Sequence, residues 1–284
     1  MFLLASFIAE ISARLLAMTR DGFLSQMKVI MFDLDGTLAR SKSTLDHEMA
    51  SLLKELLDAR YVATVSGGAL QQFKIQFLRE LPKDSNLRNL FLFPTSSASG
   101  YYYDVKRKRF FRAYSHVLSK FDAKKVLDAF KATFREIRYT QPKKTYGPIL
   151  ENRGSQITFS ALGQRAPLRL KQRWDPNQKK RLRIRAVLLK HLPEFEITIG
   201  GTTSIDVTRK GVNKTLCVKK LEERLGVSKK QMLYVGDALF KGGNDYIMRS
   251  AKIRCVPVSG PEETKKLIRR IVAIPLLRSK TRAC

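Results

Sequence analysis

Short apolar segments alternate with amphipathic segments in the first hundred residues and again near the end of the chain. The segment 44–59 has apolar residues at helical spacing, with Ser43 or Thr44 as the predicted cap, and the helical pattern of 214–226 ends at Gly226. Strands that alternate with helices predict a parallel sheet covered by helices on both faces. The predicted strands are VIMFDL (29–34), YVATVS (61–66), LFLFPT (90–95), QMLYVGD (231–237) and KIRCVPV (252–258).

The middle of the chain, from about Tyr114 to Thr208, has a different pattern. Its strand-like segments alternate between apolar and polar residues, and a helical segment, 177–192, lies between them. Period-two alternation favours an antiparallel sheet with one covered face. We therefore predict an α/β protein whose parallel core is interrupted by an α+β domain. The alternating segments are SQITFSAL (155–162), FEITIG (195–200) and TSIDVT (203–208).

This organisation predicts five segments along the chain. Residues 1–18 are helical in pattern, and two interpretations stay open: an additional amphipathic helix, or translation from a start upstream of the native one. Met27, immediately before the first strand, favours the second interpretation. The segments are an N-terminal extension (1–26), the first half of the core (27–113), the inserted domain (114–208), the second half of the core (209–275) and a C-terminal tail (276–284).

Composition and charge narrow the class of protein. Hydrophobic residues make up 44% of the chain, enough for a packed core, and no apolar run is long enough to span a membrane. The three scattered cysteines are typical of a reduced, cytoplasmic protein without a disulfide framework. The net charge of +29 attracts anions of any kind. No helix-turn-helix, zinc-finger or RNP pattern accompanies it, so we interpret runs such as KRKRFFR (106–112) as solvated surface that binds nucleic acid only nonspecifically.

Polar residues follow several of the predicted buried strands. Asp33 and Asp35 come at the end of the first strand, Ser66 at the end of the second, and Asp237 directly after QMLYVG (231–236). Because ligands of parallel sheets bind beyond the carboxyl ends of the strands, we expect these side chains to converge. Converging carboxylates need a cation, and oxygen ligands of this kind suit Mg²⁺. Each motif alone is weaker evidence, since Asp-x-Asp-Gly is also common in turns.

Taken in order, DLDGT (33–37), Ser66, Lys214 and GDALFKGGND (236–245) resemble the four motifs of the haloacid dehalogenase superfamily, subfamily IIB. The resemblance implies a Rossmannoid parallel-sheet core with an inserted α+β cap domain. It also implies a phosphotransferase in which Asp33 accepts the phosphoryl group as an aspartyl-phosphate. Asp35 is then the general acid and base.

The same resemblance implies supporting roles around these two aspartates. Mg²⁺ is expected on Asp33, Asp237 and the backbone carbonyl of Asp35. Lys214 is expected to screen the charge between Asp33 and the phosphoryl group. Further supporting residues are Ser66, which hydrogen-bonds the phosphoryl group, and Asn244 and Asp245, which orient Lys214 and the metal-bound waters.

Three segments narrow the resemblance to the eukaryotic-type phosphomannomutases: ENRGSQITFSALGQR (151–165), GGTTSIDVTRKGVNK (200–214) and the Gly-Gly-Asn-Asp at 242–245. Cap arginines are expected to clamp the non-reacting phosphate, because a guanidinium matches phosphate oxygens. The expected substrate-binding residues are Lys42, Gly67, Arg153, Arg165, Arg173, Ser204 and Asp206.

The resemblance implies a cytoplasmic isomerase that converts mannose 6-phosphate to mannose 1-phosphate for nucleotide-sugar synthesis, with a hexose bisphosphate as activator. It leaves open whether the chain forms a homodimer. Four departures keep a sugar-phosphate phosphatase open as the alternative: Ala69 in place of a serine, the segment Pro94–Gly100, SALGQ (160–164), and Ala251 in place of an aspartate. A third hypothesis is a basic RNA-associated protein with a vestigial catalytic motif.

Overall fold

The computed structural model describes residues 22–276 of the chain. Most of the predicted extension at 1–26 and of the tail at 276–284 therefore lies outside the described residues. Within 22–276, no helix is both long and apolar enough to cross a membrane.

Seven strands form one large sheet. In their order across the sheet, they are β11 (Arg254–Pro257), β10 (Met232–Gly236), β1 (Val29–Phe32), β2 (Tyr61–Val65), β3 (Leu90–Phe93), β4 (Ser99–Asp104) and β5 (Arg109–Ser115). The first five in this order pair in parallel, as predicted, whereas β4 and β5 form an antiparallel hairpin at one edge that the sequence analysis did not predict. The run KRKRFFR (106–112) forms the exposed end of this hairpin and much of β5.

Helices cover both faces of this sheet. Ile30 and Phe32 of β1 belong to a core that includes side chains of α1 and α7, whereas Val29 and Met31 pack on the opposite face with residues of α6. This alternation explains why β1 is apolar at every position. The helices are α1 (His47–Ala59), α2 (Leu70–Phe73, continued by a π-helical turn at Lys74–Leu78), α3 (Lys120–Glu136), α4 (Leu168–Trp174), α5 (Lys179–His191), α6 (Leu216–Leu225) and α7 (Pro261–Ala273).

The ends of two helices test the predicted caps. The prediction of Ser43 or Thr44 as the cap of α1 was wrong, because the side chain of Asp46 accepts a hydrogen bond of 2.8 Å from the backbone N–H of Met49. The end of α6 is confirmed: Gly226 follows it with φ of 63°, the left-handed conformation that glycine adopts at low cost.

A second sheet of four antiparallel strands has the order β6-β7-β9-β8. Helices α3 and α5 cover one face, where Phe130 and Leu188 pack with Phe159 and Val207 of the sheet. The other face is also buried, and it presents polar side chains such as Thr158 and Asp206. The prediction of one covered face is therefore incomplete, because the polar face lies against the first sheet across a cleft. The strands are β6 (Leu150–Asn152), β7 (Ile157–Ser160), β8 (Phe195–Gly200) and β9 (Ser204–Arg209).

Candidate active site

A buried lysine bridges two buried aspartates at the carboxyl end of the large sheet. Lys214 Nζ donates to Asp33 Oδ1 at 2.8 Å and to Asp245 Oδ1 at 2.6 Å. Asp245 also accepts a hydrogen bond of 2.6 Å from the Tyr234 hydroxyl, and its second oxygen accepts one from the backbone N–H of Ala238. Lys214, which is distant in sequence from Asp33, is thus held at a fixed distance from the predicted nucleophile.

Asp237 enters the same site from the loop after β10. Its backbone N–H donates to Thr37 Oγ1 at 3.0 Å, which ties this loop to the loop after β1. The two loops approach closely at Gly36: a Cβ at this position would lie 2.4 Å from Asp237 Oδ2, and φ of Gly36 is +91°. Both facts require glycine here, since a side chain would displace Asp237.

Three carboxylates gather around one ammonium group. One oxygen each from Asp33, Asp237 and Asp245 lies within 4.8 Å of the others, close enough for them to share a metal ion. Burial raises the pKa of Asp33 well above its ordinary value, and the charges of Asp245 and Asp237 add to this, while Lys214 opposes it. Burial and the charge of Asp245 likewise raise the pKa of Asp237. The site therefore has uncompensated negative charge, and its oxygen ligands fit a hard divalent cation.

Asp35 is held by Lys42, from the same loop after β1, and by Gln72 of α2. Lys42 contributes its backbone N–H at 2.6 Å and its Nζ at 3.0 Å, and Gln72 Nε2 donates at 2.7 Å. Gln72 Oε1 in turn accepts from Lys42 Nζ at 2.7 Å. Burial raises the pKa of Asp35, but the charge of Lys42 and these hydrogen bonds outweigh it, so the pKa lies below its ordinary value.

The loop after β2 forms the next side of the site. Ser66 is buried and its hydroxyl accepts a hydrogen bond of 3.2 Å from the backbone N–H of Gly68. The carbonyl oxygen of Gly67 accepts hydrogen bonds from Arg153 Nη1 at 2.7 Å and from Gln156 Nε2 at 3.1 Å. Arg153 and Gln156 flank the turn between β6 and β7, so the inserted domain directly contacts the loop that carries Ser66.

The segment Pro94–Gly100, a departure from the phosphomannomutase pattern, also shapes the site. Thr95, Ser96 and Ser97 have positive φ of 52°, 54° and 67°, a sequence of left-handed residues that costs backbone energy. The hydroxyl of Ser97 donates to the carbonyl oxygen of Lys214 at 3.1 Å, and Ser96 lines the cleft. This strained turn therefore positions the backbone of Lys214.

The polar face of the second sheet covers the cleft. Asp206 is buried and accepts hydrogen bonds from Thr158 at 2.7 Å and Gln156 at 2.9 Å. Burial raises the pKa of Asp206, although the charge of Arg153 opposes this. Asp206 and Ser204 both line the cleft, as the predicted contacts to sugar hydroxyls require.

The cleft between the two sheets has a volume of about 620 Å³. Most of the predicted site residues line it, whereas Arg165 and Arg173 are exposed and are not among the lining residues. Their role in binding phosphate stays a prediction. The predicted residues along the cleft are Asp33, Asp35, Lys42, Ser66, Gly67, Arg153, Ser204, Asp206, Lys214, Asp237 and Asn244; Asp245 lies buried beneath them.

Three residues of the site were not predicted from the sequence. Lys171 of α4 is buried beside the cleft and donates to the carbonyl oxygen of Gln164 at 2.6 Å. Gln72 contacts Asp35, and Tyr234 contacts Asp245. Only Tyr234 carried a signal, as the one polar group within the apolar run of β10.

The fold resembles solved structures of haloacid dehalogenase-like enzymes. Plasmodium falciparum IMP-nucleotidase superposes with a TM-score of 0.65 at 16% identity, over 88% of this chain and 71% of that one. A haloacid dehalogenase-like hydrolase from Bacteroides thetaiotaomicron superposes with a TM-score of 0.57 at 14% identity, over 86% of this chain and 99% of that one. The predicted haloacid dehalogenase-like fold, with a parallel α/β core, is thereby confirmed.

Sequence comparison identifies the family within this class. The family model of eukaryotic phosphomannomutase matches residues 49–274. A phosphomannomutase of Nicotiana benthamiana is 26% identical over 254 residues, covering 84% of this chain and 91% of that protein. One from Saccharomyces cerevisiae is 26% identical over 246 residues, covering 84% and 92%. The chain belongs to the eukaryotic phosphomannomutase family, as its motifs predicted.

Proposed function

We propose that the protein interconverts mannose 6-phosphate and mannose 1-phosphate, with a hexose bisphosphate as activator and Asp33 as the phosphoryl carrier. The observation that carries this proposal is the position of Asp33, buried at the floor of the cleft and hydrogen-bonded to Lys214. Family membership supports the choice of a phosphomannomutase over other phosphotransferases, because the match spans segments of both sheets.

In the first half-reaction, a carboxylate oxygen of Asp33 attacks one phosphorus of the bisphosphate, and the bond from phosphorus to the sugar oxygen breaks. The ammonium group of Lys214 reduces the repulsion between the carboxylate and the phosphoryl oxygens. The leaving sugar oxygen takes a proton from Asp35, which gives a hexose monophosphate and an aspartyl-phosphate. In the second half-reaction, a monophosphate whose free hydroxyl is on the other carbon binds to the aspartyl-phosphate enzyme. Asp35 takes the proton of this hydroxyl, the hydroxyl oxygen attacks the phosphorus, and the bond from phosphorus to Asp33 breaks, which regenerates the carboxylate and a bisphosphate.

A divalent cation, for which we propose Mg²⁺, fits the carboxylates of Asp33 and Asp237 and the backbone carbonyl of Asp35. When bound, it would offset the negative charge that the three clustered carboxylates leave around Lys214 and polarise the transferring phosphoryl group. Asp245 is less available as a direct ligand, because Lys214, Tyr234 and the backbone of Ala238 already occupy its oxygens.

The ionisation state of Asp35 fits its role as the base in the second half-reaction. The ammonium of Lys42 and the amide of Gln72 stabilise its ionised form, which is the form that takes a proton from an incoming sugar hydroxyl. Lys42 lies at the edge of the cleft and is half exposed. A substrate phosphate that binds Lys42 would loosen its hold on Asp35 and allow Asp35 to act as the acid.

The inserted domain supplies a second binding site for phosphate at the opposite wall. Lys171 and Arg153 both line the cleft. Lys171 uses one of its three N–H groups, on Gln164, and Arg153, which is paired with Glu151 and donates to Gly67, uses three of its five, so each has two left for a phosphate. A mutase needs such a site, because the bisphosphate must bind in two orientations while water is excluded from the aspartyl-phosphate. The contact of Arg153 with Gly67 supports a closed arrangement of this kind.

Phosphorus NMR tests the proposal against the phosphatase alternative. Purified protein is mixed with Mg²⁺, mannose 1-phosphate and a catalytic amount of hexose 1,6-bisphosphate, and Asp33→Asn is the control. Growth of the mannose 6-phosphate resonance without inorganic phosphate supports the mutase. Growth of inorganic phosphate alone identifies a phosphatase, and turnover by Asp33→Asn contradicts the proposed nucleophile.

A further inference from the structure

Helix α5 differs in charge from the other long helices of the protein. Its 13 residues, KKRLRIRAVLLKH, include six lysines and arginines and no acidic residue. The other described helices of ten or more residues each contain an internal ion pair, which offsets the charge of their cations. These pairs are Lys54–Asp58 in α1, Lys124–Asp128 in α3, Lys220–Glu223 in α6 and Lys265–Glu262 in α7.

The cations of α5 are concentrated on its solvent-facing side. Arg181, Ile184 and Leu188 are buried, and they lie on the side opposite to the exposed residues. With about 100° per residue, five of the seven exposed positions form one stripe about 16 Å long, and the other two, Lys180 and His191, lie to one side of it. This stripe, which we call the α5 stripe, consists of Lys179, Leu182, Arg183, Ala186 and Lys190.

In the part of the chain that the structure describes, no acid pairs with a cation of the α5 stripe. The segment 164–192 contains ten lysines and arginines but only one acid, Asp175. Asp175 is buried and already paired, since both its oxygens accept hydrogen bonds from Arg181 and from backbone N–H groups. Within residues 22–276, Lys179, Arg183 and Lys190 form no ion pair. Like charges four residues apart, as in Lys179 and Arg183, destabilise a helix, so an external polyanion that neutralises them is favoured.

We propose that the α5 stripe binds the phosphate backbone of nucleic acid without sequence preference. A nucleic-acid duplex carries one negative charge per about 1.7 Å of its axis. Its phosphates are therefore spaced closely enough to contact all three cations of the α5 stripe at once. An anionic membrane fits less well, because helices that lie in a membrane surface need a free apolar face. The apolar face of α5 is buried in the inserted domain. A second copy of the chain is disfavoured too, since two like-charged stripes repel.

This binding goes beyond the proposed enzymatic function and is separable from it. None of the three cations lines the cleft, so their replacement leaves phosphoryl transfer intact. Each phosphate contact that is lost lowers the slope of log affinity against log salt by about 0.9 for a duplex. Replacing three cations is therefore expected to lower this slope by about 2 to 3 and the affinity by tenfold or more at low salt.

The test measures fluorescence anisotropy of a labelled double-stranded RNA of random sequence with the full-length protein, over a series of salt concentrations. The variant is Lys179→Gln/Arg183→Gln/Lys190→Gln. The matched control removes the same number of exposed cations from the β4–β5 hairpin and β5: Lys106→Gln/Lys108→Gln/Arg112→Gln. Mannose phosphate turnover of both variants is measured in parallel and is expected to equal that of the wild type.

The proposal predicts that the α5 variant loses tenfold or more in affinity, with the reduced salt slope, while the control loses less than threefold. Equal losses in both variants would show that net charge alone drives binding, which overturns the proposal. Wild-type protein that fails to bind RNA overturns it as well. So does binding to vesicles with anionic lipid that is lost in the α5 variant while RNA binding is unchanged.

Discussion

Lys171 offers the sharpest test of how the inserted domain binds the distal phosphate. Its side chain is only 6% exposed, and one carbonyl oxygen, that of Gln164, accepts from its Nζ. An ammonium group has three donors, so two remain for a ligand in the cleft. Burial lowers the pKa of Lys171, and the charge of nearby Lys42 lowers it further. An anion placed between the two lysines would relieve this repulsion.

The expected effect of Lys171→Met follows from the lost charge-assisted hydrogen bond. Such a bond contributes about 1.5–3 kcal/mol, which corresponds to a decrease in kcat/KM of about 10- to 150-fold. Methionine retains most of the apolar stem, so the fold should be preserved. The loss should be seen with mannose 1-phosphate, which must pass through a bisphosphate, and not with para-nitrophenyl phosphate, which carries a single phosphoryl group.

Arg173→Met is the matched control, because Arg173 lies two residues away on the same helix but is exposed. The structure predicts that this change leaves kcat/KM within about twofold, the range of most surface substitutions. A larger loss in Arg173→Met than in Lys171→Met would refute the assignment of Lys171 and favour the sequence-based prediction of Arg173. Equal losses of Lys171→Met on both substrates would show that it damages the core site.

Three further predictions concern the core site. Asp33→Asn should abolish turnover yet stabilise the metal-free protein at neutral pH by about 1 kcal/mol, because it removes a carboxyl group whose ionisation the folded state disfavours. Thermal denaturation measures this difference. Gln72→Ala should lower kcat about tenfold through the lost hydrogen bond to Asp35, whereas Gln71→Ala, an exposed neighbour, should have no effect. EDTA should abolish turnover, and added Mg²⁺ should restore it. Asp237→Asn should raise the Mg²⁺ concentration that gives half-maximal activity by roughly tenfold or more.

The stability of Asp33→Asn also has a predicted pH dependence. The pKa of Asp33 is raised in the folded protein, so the native state holds a proton that the unfolded chain releases between the two pKa values. Wild-type stability therefore falls as pH rises through this window, and the advantage of Asp33→Asn should shrink as pH falls toward the ordinary pKa of aspartate. An advantage that grows at low pH would contradict this account.

The core of the site could be predicted from the sequence because its geometry follows from topology. Residues at the carboxyl ends of parallel strands must meet, so Asp33, Ser66 and Asp237 were placed together without knowledge of any contact. Lys214 was placed by its order among the motifs. These residues depend little on how individual helices are rotated.

Which side chains of the inserted domain face the cleft does depend on how a helix, α4, is rotated about its axis. Two residues along a helix differ by about 200° in direction, so Lys171 faces the cleft while Arg173 faces solvent. The basic composition of α4 gave no signal for choosing between them. Gln72 was missed because its contact with Asp35 joins α2 to the loop after β1, and their relative position is a property of the folded core. The cytoplasmic location, the homodimer and the role of Arg165 stay predictions.

Trapping the acyl phosphate shows directly whether Asp33 carries the phosphoryl group. Protein mixed with Mg²⁺ and hexose 1,6-bisphosphate is quenched with borohydride, which reduces an aspartyl-phosphate to homoserine, and its peptides are analysed by mass spectrometry. If Asp33 is the phosphoryl carrier, homoserine is found at position 33, it is absent without the bisphosphate, and Asp35 is unmodified. Homoserine at another aspartate, or none at position 33 in a sample that turns over mannose 1-phosphate, would contradict this role of Asp33.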